Sequence, residues 1–141
     1  MGVKLGFIGA GNMGSSLLKG ALRSHTSDPG DILIYDVDSL RCRQLAEETG
    51  VKIAGDNREL VRQCDYIVLA VKPAYIEKVM QEIKDVFTDS KVLISIAVGV
   101  TTGTLKAALG ESKKIVRTMP NLPVMVGEGM TLIHFGENLN N

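Results

Sequence analysis

The sequence predicts an α/β fold: a doubly wound, mostly parallel sheet with helices on both faces. Three observations carry this. An apolar run, Val3 to Ile8, leads directly into Gly9-Ala10-Gly11-Asn12-Met13-Gly14, and apolar residues at helical spacing follow at once. Short apolar runs then alternate with helix-like segments along the chain, and parallel strands need such long crossovers. Tyr66 to Val71 and Val92 to Ile96 are continuous apolar runs, as expected of strands covered on both faces.

The elements follow in order. After the glycine turn, Leu17, Leu18, Ala21 and Leu22 define a helix ending near Arg23. Asp28-Pro29-Gly30 marks a loop, and Ile32 to Tyr35 is a strand that stops at Asp36. Asp38 or Ser39 caps a second helix, in which Cys42, Leu45, Ala46 and Thr49 share a face and Gly50 is the stop. Val51 to Ile53 is a short third strand. Asp56, with Glu59 three positions on, resembles a capping box and opens a brief helix to about Gln63. The Tyr66–Val71 strand is interrupted by Lys72-Pro73. A helix with Ile76, Val79, Met80 and Ile83 on one side comes next, then the Val92–Ile96 strand. Thr101 or Thr102 caps a helix through Leu109. Ile115 and Val116 begin a sixth strand ending at Met119-Pro120, and Met130 to Phe135 reads as one more.

Composition narrows the functional classes. The chain has 141 residues, 45% apolar and 23% charged, which is one globular domain's worth. Sixteen basic and sixteen acidic side chains cancel, so no general electrostatic attraction to nucleic acid or an acidic membrane surface is expected. The longest apolar run, Val92 to Val100, is nine residues and far too short for a bilayer span. No signal region is expected, since Val3 to Ile8 runs straight into the glycine turn. Cys42 and Cys64 have no cysteine neighbour, which favours free thiols in a reducing, cytoplasmic setting over a metal or redox pair. His25 and His134 lack ligand-like companions, and no metal site is expected.

The chemistry is expected at one edge of the sheet, because ligands of such sheets bind beyond the carboxyl ends of the strands. In Gly-x-Gly-x-x-Gly, Gly9 permits the tight turn and Gly11 clears a path for a pyrophosphate. Gly14 lets the helix pack closely, and its N-terminal N–H groups face the phosphates. This is the arrangement of a Rossmann-type NAD(P)-binding domain. Asp36, twenty-two positions after Gly14, is placed to accept hydrogen bonds from the adenosine ribose and so favours a cofactor without a 2′-phosphate. Arg41 and Arg43 lie close by, and either one folded over a phosphate would weaken that preference. Lys72, after Ala70-Val71 and before Pro73, either stands beside the cofactor or is a solvated loop lysine. Met119-Pro120-Asn121-Leu122-Pro123 is a stiff loop that either contacts substrate or simply connects strands. Ser15 and Ser16 start the first helix, within reach of a phosphate or as ordinary first-turn residues.

Four motifs in this order resemble pyrroline-5-carboxylate reductase. They are Gly6 to Gly14, Leu69-Ala70-Val71-Lys72-Pro73, Ser95 to Val100, and Arg117-Thr118-Met119-Pro120-Asn121-Leu122-Pro123-Val124. The resemblance covers essentially all of this chain but only the N-terminal half of the family's protein. It implies the last step of proline biosynthesis, with hydride passing from NADPH or NADH to the C=N carbon of a five-membered cyclic imine. By the family's pattern, Ala10 to Met13 would cradle the pyrophosphate, and Asp36 and Asn57 would lie at the adenosine end. Ala70, Val71, Lys72, Pro73 and Ala97 would flank the cofactor, and Met119, Pro120 and Asn121 would lie near the substrate. The family usually has Asn or Ser, often followed by Arg, where this chain has Asp36-Val37. It usually has Thr where this chain has Leu122. The resemblance further implies a cofactor domain over residues 1–136, with 137–141 beginning the link to a helical half that makes the substrate pocket and a homo-oligomer. The acid–base groups would lie in that half, and the isolated chain is expected to turn over imine poorly or not at all. Two alternatives stand beside this reading. One is a related oxidoreductase on the same scaffold, such as a deazaflavin-dependent NADP reductase or a prephenate-type dehydrogenase. The other is a non-catalytic module that senses NAD(P)(H).

Overall fold

The alternation of apolar runs resolves into strands and helices of a single sheet domain in a computed structural model, which describes residues 4–25, 27–97, 99–118 and 133–135. In chain order these are β1 (Leu5–Ile8), α1 (Asn12–Arg23), β2 (Ile32–Tyr35), α2 (Ser39–Thr49), β3 (Lys52–Ile53), α3 (Asn57–Gln63), β4 (Tyr66–Leu69), α4 (Ile76–Ile83), β5 (Val92–Ser95), α5 (Thr102–Leu109), β6 (Lys114–Thr118) and β7 (Ile133–Phe135). The strands lie in the order β3-β2-β1-β4-β5-β6-β7. The first six are mutually parallel, and β7 pairs antiparallel with β6. The chain winds outward from β1 through β2 to β3, then crosses back to β4. The switch point therefore falls between β1 and β4.

Period-two alternation distributes each strand between two cores. Leu5 and Phe7 of β1, Ile32 and Ile34 of β2, and Val68 of β4 face α1 and α2, whose Leu17, Leu18, Cys42 and Leu45 close that side. Ile8, Leu33, Ile67, Leu69, Leu93 and Ile115 face the other way, beneath Leu60, Val61, Met80, Ile83, Leu105 and Leu109 of α3, α4 and α5. Each such fully buried aliphatic side chain contributes roughly 1.5–3 kcal/mol. Gly6 permits the close crossing of α3 over β1, because a Cβ there would lie 2.3 Å from Leu60 Cδ2.

The expected caps form. Asp38 Oδ1 accepts the Arg41 N–H at 3.2 Å, and Thr101 Oγ1 accepts the Thr104 N–H at 3.1 Å. Asp56 Oδ1 accepts the Glu59 N–H at 2.7 Å, while Glu59 Oε1 reaches back to Gly55 N–H at 3.1 Å rather than to Asp56 itself. Gly50, at φ 82°, closes α2.

Some expected strand ends differ. β4 stops at Leu69, so Ala70 and Val71 belong to the turn beyond it. β5 stops at Ser95, although Ile96 N–H still donates to Leu69 O at 3.2 Å. β3 is only Lys52–Ile53, both exposed, because two register pairs with β2 exhaust its ladder. Val3, residues 119–132 and residues 136–141 lie outside the described residues. That set includes Met119, Pro120, Asn121, Leu122, the start of the expected last strand and the expected link. Among the described residues, no helix is long and apolar enough to cross a membrane.

Candidate functional site

The site is built on the turn between β1 and α1, tied to the strands on either side. Gly9 N–H donates to Tyr35 O of β2 at 2.8 Å, and Ala70 N–H, just past β4, donates to Ile8 O at 2.8 Å. Gly9 sits at φ +101°, where a side chain is strained, and a Cβ there would lie 2.7 Å from Ala70 O. A Cβ on Gly14 would lie 2.7 Å from Gly9 O and 3.1 Å from Ala70 Cβ. Those two glycines are required by the protein's own packing.

Gly11 is different. A Cβ there would meet only Arg41 Nη1, at 3.5 Å, and φ is an ordinary −73°. Nothing among the described residues demands a glycine at that position. Gly11 is also the N-cap of α1, and no side-chain hydrogen bond caps the helix. The first N–H groups of α1 therefore remain available to an anion beside a space without a side chain.

Asp36 fixes the turn from the neighbouring strand. Its Oδ2 accepts Ala10 N–H at 2.8 Å and its Oδ1 accepts Asp38 N–H at 2.9 Å. The sequence placed Asp36 at the end of β2, but its tie to Ala10, 26 positions away, was not legible there. Cys42, buried in α2 behind it, donates its thiol hydrogen to Asp36 O at 3.7 Å. Burial pushes the Cys42 thiol up, and Asp36 and Asp38 add to the rise while the hydrogen bond to the Asp36 backbone opposes it. Ser15 is turned inward: its hydroxyl donates to Ala10 O at 3.0 Å and braces the turn. Ser16 donates to Asn12 O at 2.8 Å, as an ordinary helical serine.

Parallel strands bring the other expected residues to the same edge. Asn57 opens α3 beyond β3 and is 5% exposed, and its Oδ1 is a buried atom with no hydrogen-bond partner. Lys72 and Pro73 are exposed beyond β4, where Tyr75 N–H donates to Lys72 O at 2.9 Å and starts the turn into α4. Ala97 lies buried past β5, with its N–H donating to Ser95 Oγ at 3.3 Å. Of the two arginines considered, Arg41 reaches the glycine turn. His25 lies two residues past α1 and is exposed, and His134 of β7 is paired through the backbone with Arg117 of β6. Among the described residues, no group of three or more His, Cys, Asp or Glu could hold a metal ion.

These features suit a dinucleotide on four counts: a glycine with space in front of it, an uncapped helix start, a fixed carboxylate at the end of β2 and an orphaned buried amide oxygen on the same edge. Residues 4–99 match the family described as NADP oxidoreductase, coenzyme F420-dependent. The chain belongs to that family. A curated relative is pyrroline-5-carboxylate reductase of Methanosarcina acetivorans. It is 38% identical over 135 residues, covering 96% of this chain and 50% of the relative. Among solved structures, a pyrroline-5-carboxylate reductase from Coxiella burnetii superposes with TM-score 0.90 at 34% identity, over 99% of this chain and 52% of its own. Pyrroline carboxylate reductase of Plasmodium falciparum, solved with NADP bound, gives TM-score 0.85 at 37% identity, over 98% of this chain and 50% of its own. The chain thus spans about half the length of the relatives it matches.

Proposed function

We propose that this chain is the cofactor-binding half of a pyrroline-5-carboxylate reductase, with its domain spanning residues 1–136. The observation that carries the reading is the similarity to such reductases along 96% of the chain, on a fold whose glycine turn is open at Gly11. When bound, a reduced nicotinamide supplies the hydride that converts the C=N bond of 1-pyrroline-5-carboxylate to the C–N bond of proline.

The chain's own residues then bind and orient. The Gly9 to Gly14 turn holds the pyrophosphate, with the backbone N–H groups at the start of α1, those of Asn12 and Met13 among them, facing it. Asp36 takes the adenosine ribose, and Asn57 takes the adenosine end with its unpartnered oxygen. Ala70, Val71, Lys72, Pro73 and Ala97 flank the cofactor's centre. Met119, Pro120 and Asn121 are assigned to the substrate side from the sequence resemblance. A half of this kind contributes orientation, and orientation alone is worth several powers of ten in rate. The proton donor, the remaining wall of the substrate pocket and a homo-oligomeric interface belong, in this reading, to a helical second half. A cytoplasmic setting accords with the two free, buried thiols.

Two measurements test this. The 141-residue chain should bind NADH or NADPH yet reduce pyrroline-5-carboxylate more slowly than about 1 per second. The complete reading frame containing this chain should restore growth of a proline auxotroph. Nucleotide binding without rescue by the expressed full-length protein would overturn the substrate. Absence of nucleotide binding would overturn the cofactor role.

A further inference from the structure

The end of β2 carries a carboxylate that cannot turn away. Asp36 is fixed through both oxygens, Oδ2 by Ala10 N–H at 2.8 Å and Oδ1 by Asp38 N–H at 2.9 Å. A carboxylate offers about four acceptor directions, so two remain for the hydroxyls of a ribose. For a phosphate in place of one hydroxyl, the same group is a fixed negative charge with no rotamer of escape. Asp38 adds a second carboxylate two residues on, itself held by the Arg41 N–H at 3.2 Å as the cap of α2.

One of the two nearby cations, Arg41, is directed elsewhere. Arg41 extends to the glycine turn, with Nη1 3.5 Å from the place a Cβ on Gly11 would occupy. There it faces the opening in front of the α1 N-terminus, the part of the site that suits a pyrophosphate.

We propose that this site selects NADH over NADPH, with the clamped Asp36 carboxylate as the discriminating group and Arg41 serving the pyrophosphate common to both. The proposal rests on the cofactor role given above and refines it. A family described by its NADP chemistry would then contain, in this chain, a member whose ribose position is built against the 2′-phosphate.

The test titrates NADH and NADPH separately into the 141-residue chain, reading the fluorescence of the reduced nicotinamide. Wild type should bind NADH at least about tenfold more tightly. Asp36→Ser and Asp36→Asn should each shift the NADH:NADPH affinity ratio toward NADPH by about tenfold. The Asn variant keeps an oxygen for Ala10 N–H and gives up only the acceptor for Asp38 N–H, so beside Asp36→Ser it helps separate charge from loss of the tie to the glycine turn. Arg41→Gln should weaken both nucleotides by the same factor and leave the ratio unchanged. Equal or reversed wild-type affinities, or a ratio untouched in both Asp36 variants, would overturn the selectivity while leaving the cofactor role intact. Loss of NADPH binding alone in Arg41→Gln would assign Arg41 to the 2′-phosphate and also overturn it. A wild-type chain that binds neither nucleotide would remove the cofactor role and this inference together.

Discussion

The two edges of the sheet are made by the same strands and are finished in opposite ways. At the amino edge polar groups are paired. Lys91 is buried, and its Nζ donates to Cys64 O at 2.8 Å and to Arg62 O at 3.4 Å, the last carbonyls around the end of α3. Asp65 and Tyr66 N–H groups both donate to Lys4 O, and Asp89 receives Ser112 and Lys113 at 2.9 and 2.7 Å. At the carboxyl edge the first turn of α1 has no side-chain cap, Asn57 Oδ1 is buried without a partner, and Val37 and Tyr75 are 87% and 57% exposed. A buried polar atom left unpaired costs free energy, and among the described residues the one such side-chain atom, Asn57 Oδ1, lies on the carboxyl edge, where the proposed cofactor would sit. On the proposed reading, one edge serves stability and the other serves binding.

The contrast can be broken most forcefully where the carboxyl edge still does structural work. Gly9→Ala places a methyl 2.7 Å from Ala70 O at φ +101°, and should cost about 3 kcal/mol or more by denaturant titration. Lys91→Met should lower stability by roughly 1–3 kcal/mol, because the Cys64 carbonyl in the interior and the part-buried Arg62 carbonyl lose their donor. Its nucleotide affinity should stay at the wild-type value, which isothermal titration would check. Gly11→Ala should do the reverse, leaving stability within about 0.5 kcal/mol while nucleotide binding drops about tenfold or more. An equal loss of stability at Gly11 and Gly9 would erase the distinction between the glycines.

Two smaller effects involve pH at the amino edge. Burial, only partly offset by Lys91, pushes the Cys64 thiol from 9.0 to about 11. A raised pKa in the folded state stabilises below the unfolded value, so stability should fall as pH rises from 9.0 toward about 11. That slope should be shallower in Cys64→Ala, whatever its baseline stability, with the remainder of the same sign coming from the raised Cys42 thiol. Hydrogen bonds from Lys113 and Ser112 hold the exposed Asp89 carboxyl below its usual range. Its contribution is therefore present above the ordinary carboxylate pKa and lost on acidification through the lowered one. Asp89→Asn should remove this small acid-side slope in thermal melts at stepped pH and leave neutral-pH nucleotide binding intact.

The sequence made the fold legible because its signals are local. Leu17 and Leu18 show a helical face, Val68 and Leu93 show covered strands, and Asp56 with Glu59 shows a cap. The strand ends were harder to read for a physical reason. Ala70 and Val71 are apolar because they pack against the two cores from the turn, Ala70 on the α1 side and Val71 on the other, not because the ladder continues, and periodicity does not distinguish the two causes. In the site, the glycine turn and Asp36 could be named from spacing alone. The Ala10–Asp36 hydrogen bond, the inward Ser15 hydroxyl and the Lys91 clamp join residues whose proximity depends on the completed sheet. A buried lysine shows no pattern in one dimension. Asn57 came forward only through resemblance, since an orphaned oxygen is a property of packing.

The unequal burdens on the three glycines also bear on descent. A lineage that ceased to use a nucleotide would still keep Gly9 and Gly14, because its sheet could not close without them. It would be free to replace Gly11, where, among the described residues, only an arginine's tip approaches. Drift at that middle position is thus the earliest mark such a lineage would carry, while the two outer glycines would go on advertising a ligand it no longer held.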